Sequence, residues 1–343
     1  IGLGESVKTM QTVEMIYRRF IELGVDRSTF VLAVGGGIVT DVAGFAASTY
    51  MRGVKFGFVS TTLLGQVDAS VGGKNGVNVD GYNNMAGTFK QPRFVICDPE
   101  MLRTLSDREF RAGLAEVVKA AIIADADLFA RIEATTFDDL RSNTDLLTDA
   151  VSASIRVKAD IVERDERESG DRRKLNLGHT LAHAIEKASN RMNHGEAVAV
   201  GTALIADASV KLGVLTAEDR DRIAGVLKKL GFDLTPPVDV KRLLKEVDKE
   251  LVAIQKVTNN TDAEMAKLSQ HAYEVASQYG VAVTDYLQST GAFAKAGYKE
   301  LSEDMAELAT KTQLVGDVNA ETANQFLLSA DAAYKLDGNV TAL

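Results

Sequence analysis

Over the first hundred residues, short apolar runs alternate with helix-length amphipathic stretches. Phe30-Val31-Leu32-Ala33-Val34 ends in Gly35-Gly36-Gly37 and leads into a helical pattern over 38–49. Phe56-Gly57-Phe58-Val59-Ser60 runs into Thr61-Thr62, and a third run at 93–98 stops at Pro99. Runs this short, separated by ten-residue helices, predict buried parallel strands with helices on both faces of the sheet. From Ser106 the apolar period becomes 3.6, predicting helices over Asp107–Ala124, 149–162, 181–190, 196–212 and 218–230. The pattern therefore predicts an α/β domain over 1–100 and an α-helical domain over 101–248.

A further change of texture falls near Asp248. All 19 arginines lie at or before Arg242, and from Glu250 onward the chain carries 13 acidic residues against 6 lysines. Residues 249–343 predict Ala-, Gln- and Ser-rich helices broken at Gly280, Gly291 and Gly297. Such a break marks either an appended helical domain or the joining of unrelated coding segments.

Composition narrows the class. With 45% hydrophobic and 25% charged residues among 343, the chain reads as a soluble globular protein of two or more domains. The net charge of −9 argues against nucleic-acid or membrane-surface partners, and no apolar run approaches the length of a membrane span. The one cysteine, Cys97, excludes an intramolecular disulfide and is expected buried in its strand; a cytoplasmic setting fits. No signal peptide is visible, and a first residue of Ile1 suggests that further residues precede it.

Four features carry candidate chemistry. Gly35-Gly36-Gly37 at a strand–helix turn presents backbone N–H groups to an anion such as a pyrophosphate, with Asp41 in the first helical turn. The loop Asp68-Ala-Ser-Val-Gly-Gly-Lys74-Asn-Gly-Val-Asn78 combines glycines, a lysine and asparagines in the manner of an anion cradle, or of a plain polar surface loop. Of four histidines, His179, His183 and His194 fall within sixteen residues, whereas His271 stands alone and reads as solvated. His179 and His183 share a helix face, His194 sits at a helix start, and Glu116 and Lys119 share a face upstream. Two imidazoles and a carboxylate are catalytic-zinc ligands, although clustered histidines also occur as ordinary core or surface residues. Finally Lys158, Glu168, Arg172, Arg173 and Asn176 precede His179, as a solvated charged face or as a phosphate or polyol site.

Together these segments resemble 3-dehydroquinate synthases, of the sugar phosphate cyclase superfamily. The resemblance rests on GESVK at 4–8, VGGGIVTDVAGFAASTYMRG at 34–53, STTLLGQVDASVGGKNGVN at 60–78 and GTFKQP at 87–92. It continues in TLSDREFRAGLAEVVK at 104–119, RVKADIVERDERESGDRRKLNLGHTLAHAIE at 156–186 and HGEAVAVG at 194–201. It implies a dinucleotide-binding α/β domain followed by an α-helical metal domain. Glu116, His179 and His194 would hold Zn²⁺ or Co²⁺, with His183 beside them as a proton-handling residue. NAD would meet Glu5, Lys8, Gly36, Gly37, Asp41, Thr61, Thr62, Leu64, Asp68, Thr104 and Glu109. The sugar phosphate would meet Lys74, Asn84, Lys119, Lys158, Glu168, Arg172 and Asn176, with Arg52 reaching across a homodimer interface.

The implied reaction converts 3-deoxy-D-arabino-heptulosonate 7-phosphate to 3-dehydroquinate and phosphate. It runs through transient oxidation, elimination, reduction and aldol closure. Three departures stand out. The family's opening strands are missing ahead of Ile1, Asn83 replaces a usual lysine, and the match stops at Asp248-Lys249, where Glu250 stands for a second lysine. Segment 266–318 instead resembles part of a phage tail tape-measure protein. The chain is accordingly expected to be impaired, with an open sheet edge. Alternatives are another cyclase such as 2-epi-5-epi-valiolone synthase, a metal-dependent polyol dehydrogenase, or a non-catalytic fusion.

Overall fold

The computed structural model describes all residues except 3, 80–81, 169, 190, 239–261, 280–282, 317 and 335–343. Two compact units divide the chain, Ile1–Asp239 and Val240–Leu343. The departures at Asp248-Lys249 and Glu250 lie outside the described residues.

In the first unit, β1 (Phe30–Gly35), β2 (Lys55–Ser60) and β5 (Val95–Cys97) form a parallel sheet in the order β1-β2-β5. The register pairs Phe30 with Lys55 and Gly35 with Ser60, so β1 and β2 end level with each other. Helix α2 (Gly37–Thr49) starts as β1 ends and packs back on the sheet. Its Ala47 joins Ala33, Val54, Phe56 and Phe58, while Val42, Phe45 and Ala46 meet Val13 of α1 (Met10–Glu22) and Val77. A helix with apolar residues on both sides suits such a sandwiched position.

Two expectations fail here. The segment around Lys74, read as a loop, is an antiparallel hairpin of β3 (Lys74–Val79) and β4 (Tyr82–Phe89), bulged between Val77 and Val79. Its Gly- and Asn-rich sequence hides a strand because backbone pairing, not side-chain pattern, holds it. The sheet is also not buried on both faces. Phe30, Leu32, Val34, Phe94 and Ile96 are 41–56% exposed on the side away from α2, with the Phe30 and Phe94 rings stacked at 5.5 Å. Cys97 is half-buried rather than sealed, its thiol 3.7 Å from the Gln66 carbonyl.

The rest of the unit is helical: α3 (Asp107–Ala124), α4 (Ala126–Ala134), α5 (Phe137–Ser142), α6 (Thr144–Arg164), α7 (His179–Ala188), α8 (His194–Lys211) and α9 (Ala217–Lys229). The start of α3 matches its sequence signal, with the Ser106 side chain accepting from Glu109 N. Helix α8 begins in a capping box, Asn193 and Glu196 satisfying each other's backbone N–H groups. Such a cap is worth about 1 kcal/mol and pins His194 as the first helical residue.

The second unit contains α10 (Asp262–Tyr279), α11 (Val283–Lys295), α12 (Ser302–Gly316) and α13 (Ala320–Tyr334) around its own core of Leu268, Val275, Tyr286, Phe293, Met305 and Leu327. Gly291 does not break the chain but lies inside α11, buried. Gly280 is outside the described residues, and Gly297, at φ +109°, does follow a helix end. His271 is half-buried, edge-on to Tyr286 at 5.9 Å, so it is not the solvated residue its isolation suggested. Among the described residues no helix is long and apolar enough to cross a membrane.

The bare sheet face is testable in solution. Replacing Leu32 and Val34 by threonine should sharply lower binding of an apolar fluorescent dye while leaving the circular dichroism spectrum unchanged. Equal dye binding by the variant would show that the face is covered.

Candidate active site

Helices α3, α7 and α8 bring one carboxylate and two imidazoles to a point. Glu116 faces inward from the middle of α3 and is 2% exposed. His179 and His194, each the first residue of its helix, place Nε2 at 3.5 and 3.6 Å from Glu116 Oε1. The ligand atoms of all three lie within 4.8 Å of one another. Ligands about 2.1 Å from a tetrahedral zinc sit roughly 3.4 Å apart, so these side chains are spaced for a divalent ion.

The hydrogen bonding agrees. Glu116 Oε1 is buried without a hydrogen-bond donor, an uncompensated lone pair of the kind a cation satisfies. His179 Nδ1 lies 3.2 Å from the Leu177 carbonyl, and His194 Nδ1 lies 3.3 Å from Glu186 Oε1. Both partners are acceptors, so each Nδ1 carries a proton and each Nε2 is the ring atom aimed at Glu116. Burial, reinforced by the Lys119 cation, pushes His179 down to about 4, leaving it neutral at pH 7. Burial works against a charge on His194 as well. There, however, the carboxylates of Glu116 and Glu186 prevail and push it up to about 10, so a cation is favoured at that spot.

Charges alternate outward from this point. Lys119, 3% exposed, pairs with Glu116, and Lys158 Nζ reaches Asp68 Oδ1 at 2.5 Å and the Asp68 carbonyl at 2.7 Å. Burial would raise the Glu116 carboxyl, but Lys119 together with the two histidines outweighs it and holds the group at about 2. Burial lowers Lys158, and Asp68 opposes the fall.

A second cluster borders the first. Arg172, 3% exposed, donates to the carbonyls of Glu166 and Gly72, and Asp165 accepts from its backbone N–H. Gly72 has φ +104°, and a side chain there would come within 2.7 Å of Arg172 Nη2. Glu168 bridges Lys74 and Asn176, the latter at 2.6 Å, with its own backbone at φ +62°. Lys74, Glu168, Arg172 and Asn176 thus gather as the sequence suggested.

A third cluster surrounds the glycine turn. Gly36 caps α2 with no side-chain hydrogen bond, so the first-turn N–H groups stay open to an anion. Lys8 Nζ holds Asp41 at 2.6 Å, and Glu5 accepts from Asn78 at 2.7 Å. Thr61 N donates to the Gly35 carbonyl, and Thr62 Oγ1 accepts from Gly65 N. Leu64 precedes the π-helical turn Gly65–Ala69 that carries Asp68 toward α6.

Other candidates stay apart. Among the described residues, no hydrogen bond or ion pair ties the side chains of Thr104, Glu109 or Arg52 to these clusters, and all three are exposed. Asn84 is exposed at φ +55°, its backbone N–H donating to Asn78 Oδ1; the Asn83 side chain is outside the described set. His183 is exposed, edge-on to His179 at 5.8 Å, and does not belong to the three-ligand group. Glu186 escaped the sequence reading. Its signal was its place seven residues after His179, on the same helix face.

A parallel sheet opening into a glycine turn, set beside helices that converge on two histidines and a carboxylate, defines a class of metal- and dinucleotide-site enzymes. Residues 1–112 match the family described as 3-dehydroquinate synthase N-terminal, and residues 113–250 the one described as 3-dehydroquinate synthase C-terminal. A 3-dehydroquinate synthase of Geobacter metallireducens is 46% identical over 246 residues, 71% of this chain and 68% of that protein. One of Halorhodospira halophila is 48% identical over 72% of this chain and 71% of its own. The chain belongs to the 3-dehydroquinate synthase family and spans about two thirds of such relatives. Among solved structures, 2-epi-5-epi-valiolone synthase from Streptomyces hygroscopicus, with NAD⁺ and Zn²⁺ bound, superposes with a TM-score of 0.69 at 31% identity. The match covers 73% of this chain and 71% of that one. A 2-deoxy-scyllo-inosose synthase holding carbaglucose-6-phosphate, NAD⁺ and Co²⁺ gives 0.65 at 31%, covering 71% and 67%.

Gly72→Ala should destabilise the protein by about 1–3 kcal/mol, from backbone strain and displacement of Arg172. A thermal melt indistinguishable from wild type would refute the strain.

Proposed function

We propose that this chain converts 3-deoxy-D-arabino-heptulosonate 7-phosphate to 3-dehydroquinate and phosphate, with NAD⁺ and a Zn²⁺ or Co²⁺ ion as cofactors. The observation that carries the reading is the convergence of Glu116, His179 and His194 beside four buried or half-buried charged groups, Lys119, Lys158, Asp68 and Arg172. Residues 1–100 would bind the dinucleotide and 101–248 the metal and substrate, leaving 249–343 outside the enzyme machinery.

Glu116, His179 and His194 would hold the ion. When bound, the ion supplies Lewis-acid polarisation of a substrate hydroxyl, and NAD⁺ supplies a reversible hydride acceptor. The chain's own residues do the rest. Lys119 is charged beside Glu116 and sits where an oxygen bound near the ligands would meet it. Lys74, Arg172 and Asn176 form the phosphate side of the site, with Asn84 at its rim; Arg172 brings a planar fork and Lys74 a point charge. Glu168 keeps Lys74 and Asn176 together until the phosphate replaces it. Gly36, Gly37 and the uncapped start of α2 take the pyrophosphate; Glu5, Lys8, Asp41, Thr61, Thr62, Leu64, Asp68, Thr104 and Glu109 lie along the cofactor's path. His183 handles a proton at the exposed side of His179. Arg52, exposed, serves a neighbouring protomer of a homodimer.

Identities of 46–48% to 3-dehydroquinate synthases against 31% to the valiolone synthase favour the heptulosonate substrate over sedoheptulose 7-phosphate. Phosphate release from the heptulosonate, dependent on NAD⁺ and on the ion and lost in Glu116→Gln, is the expected result. Because the chain is expected to be impaired, the decisive comparison is a version with the opening strands restored and residues 249–343 removed: one that binds both cofactors yet releases phosphate only from sedoheptulose 7-phosphate, or from neither, overturns the reading. Glu186→Ala should weaken zinc binding about 10- to 100-fold in a chelator competition by freeing the His194 ring. Unchanged affinity would deny Glu186 that role.

A further inference from the structure

Away from the ligand cluster, a cleft of about 400 Å³ opens between the first turns of α3 and α8 and the loop at 231–237. Three arginines line it: Arg108, Arg111 and Arg191. Arg108 is neutralised by Glu196, donating through Nε and Nη2 at 2.8 and 2.7 Å, and it also reaches the Arg191 carbonyl. Arg111 is fixed over the Phe137 ring at 4.2 Å with Nε toward the Leu230 carbonyl. Arg111 feels the Glu196 carboxylate only at a distance, without an ion pair, and among the described residues the guanidinium of Arg191 meets no acidic partner. Asp233, whose carboxylate accepts from Thr235 N, supplies the lining's second negative charge, so three cations face two anions. The remaining wall is apolar, with Met192 and Phe232.

This cleft is separate from the proposed catalytic site. Arg108 precedes Glu116 by eight residues, roughly 12 Å along the helix. Between them α3 and α8 touch: a side chain at Gly195 would come within 2.2 Å of Ala112 Cα. That contact lies between the arginine cleft and the ligand cluster, none of whose three members lines the cleft.

We infer that this cleft is a second binding site, for a compact oxyanion that carries an apolar or ring portion. Guanidinium forks match oxyanions in plane and charge, and three cations lining one cavity with two anions leave a net positive charge that an anion would offset. Met192 and Phe232 receive the apolar portion.

Sulfate and benzenesulfonate are suitable probes, since neither chelates zinc and neither is a phosphate. Titrated into protein labelled at its arginine side chains, sulfate should shift the Nε–H signals of Arg111 and Arg191 saturably, and benzenesulfonate should bind several-fold more tightly. Arg191→Ala, at an exposed position, should weaken the Arg111 response about tenfold or more, with Arg191→Lys in between. Lys74→Ala should leave it intact, which separates this cleft from the phosphate side of the catalytic site. Arg111 and Arg191 signals that stay still, or that respond equally in Arg191→Ala, overturn the inference. Equal affinity for the two probes removes its apolar half.

Discussion

A carboxylate enclosed among helices has to be compensated where it stands, because no water reaches it to do so. Glu116 is that group, and helices α3, α7 and α8 meet around it. Lys119 answers it from one turn further along the same helix, and the rings of His179 and His194 face it from the first residues of two others. Asp68 and Lys158 repeat the pattern one step out, so the interior is a lattice of alternating signs and not a set of isolated ion pairs. Removing Lys119 would strand the buried charge of Glu116, and removing Lys158 that of Asp68.

The same economy governs the sheet side. The chain delivers a bare helix start at Gly36-Gly37, where the absent capping side chain leaves backbone donors for an outside anion. The Gly72-Gly73-Lys74 turn brings its carbonyl to Arg172 across a hundred residues of sequence. Strand β3 then positions Lys74 opposite Glu168 in a way its glycine- and asparagine-rich sequence did not announce. Two sites of opposite character therefore share helices α3 and α8. One is centred on a buried carboxylate that favours cations, the other on arginines that favour anions, with the Gly195–Ala112 contact between them.

Much of this was legible beforehand. Helix α3 was predicted residue for residue, since its apolar stripe and Ser106 cap agree, and the strand starts fell within a residue or two. The histidine trio, Glu116 and the charged run before His179 stood out because their residue types are rare and clustered. The exposed sheet face did not, because apolar runs look alike whether or not a layer covers them. Nor did the continuity of α11 through Gly291, where packing overrides a local breaker, or Glu186, whose partner is eight residues away across a loop.

By itself, then, the chain's order of residues determined which groups carry chemistry, where helices begin, and the family to which 1–250 belong, since these depend on local spacing and on residue identity. Only the tertiary structure decided how closely the His179 and His194 rings approach Glu116. It also decided which carbonyl or carboxylate sets each ring's tautomer, and which arginine is left without a counter-charge among the described residues. Those depend on distances between segments that lie far apart along the chain, and helix packing alone fixes them.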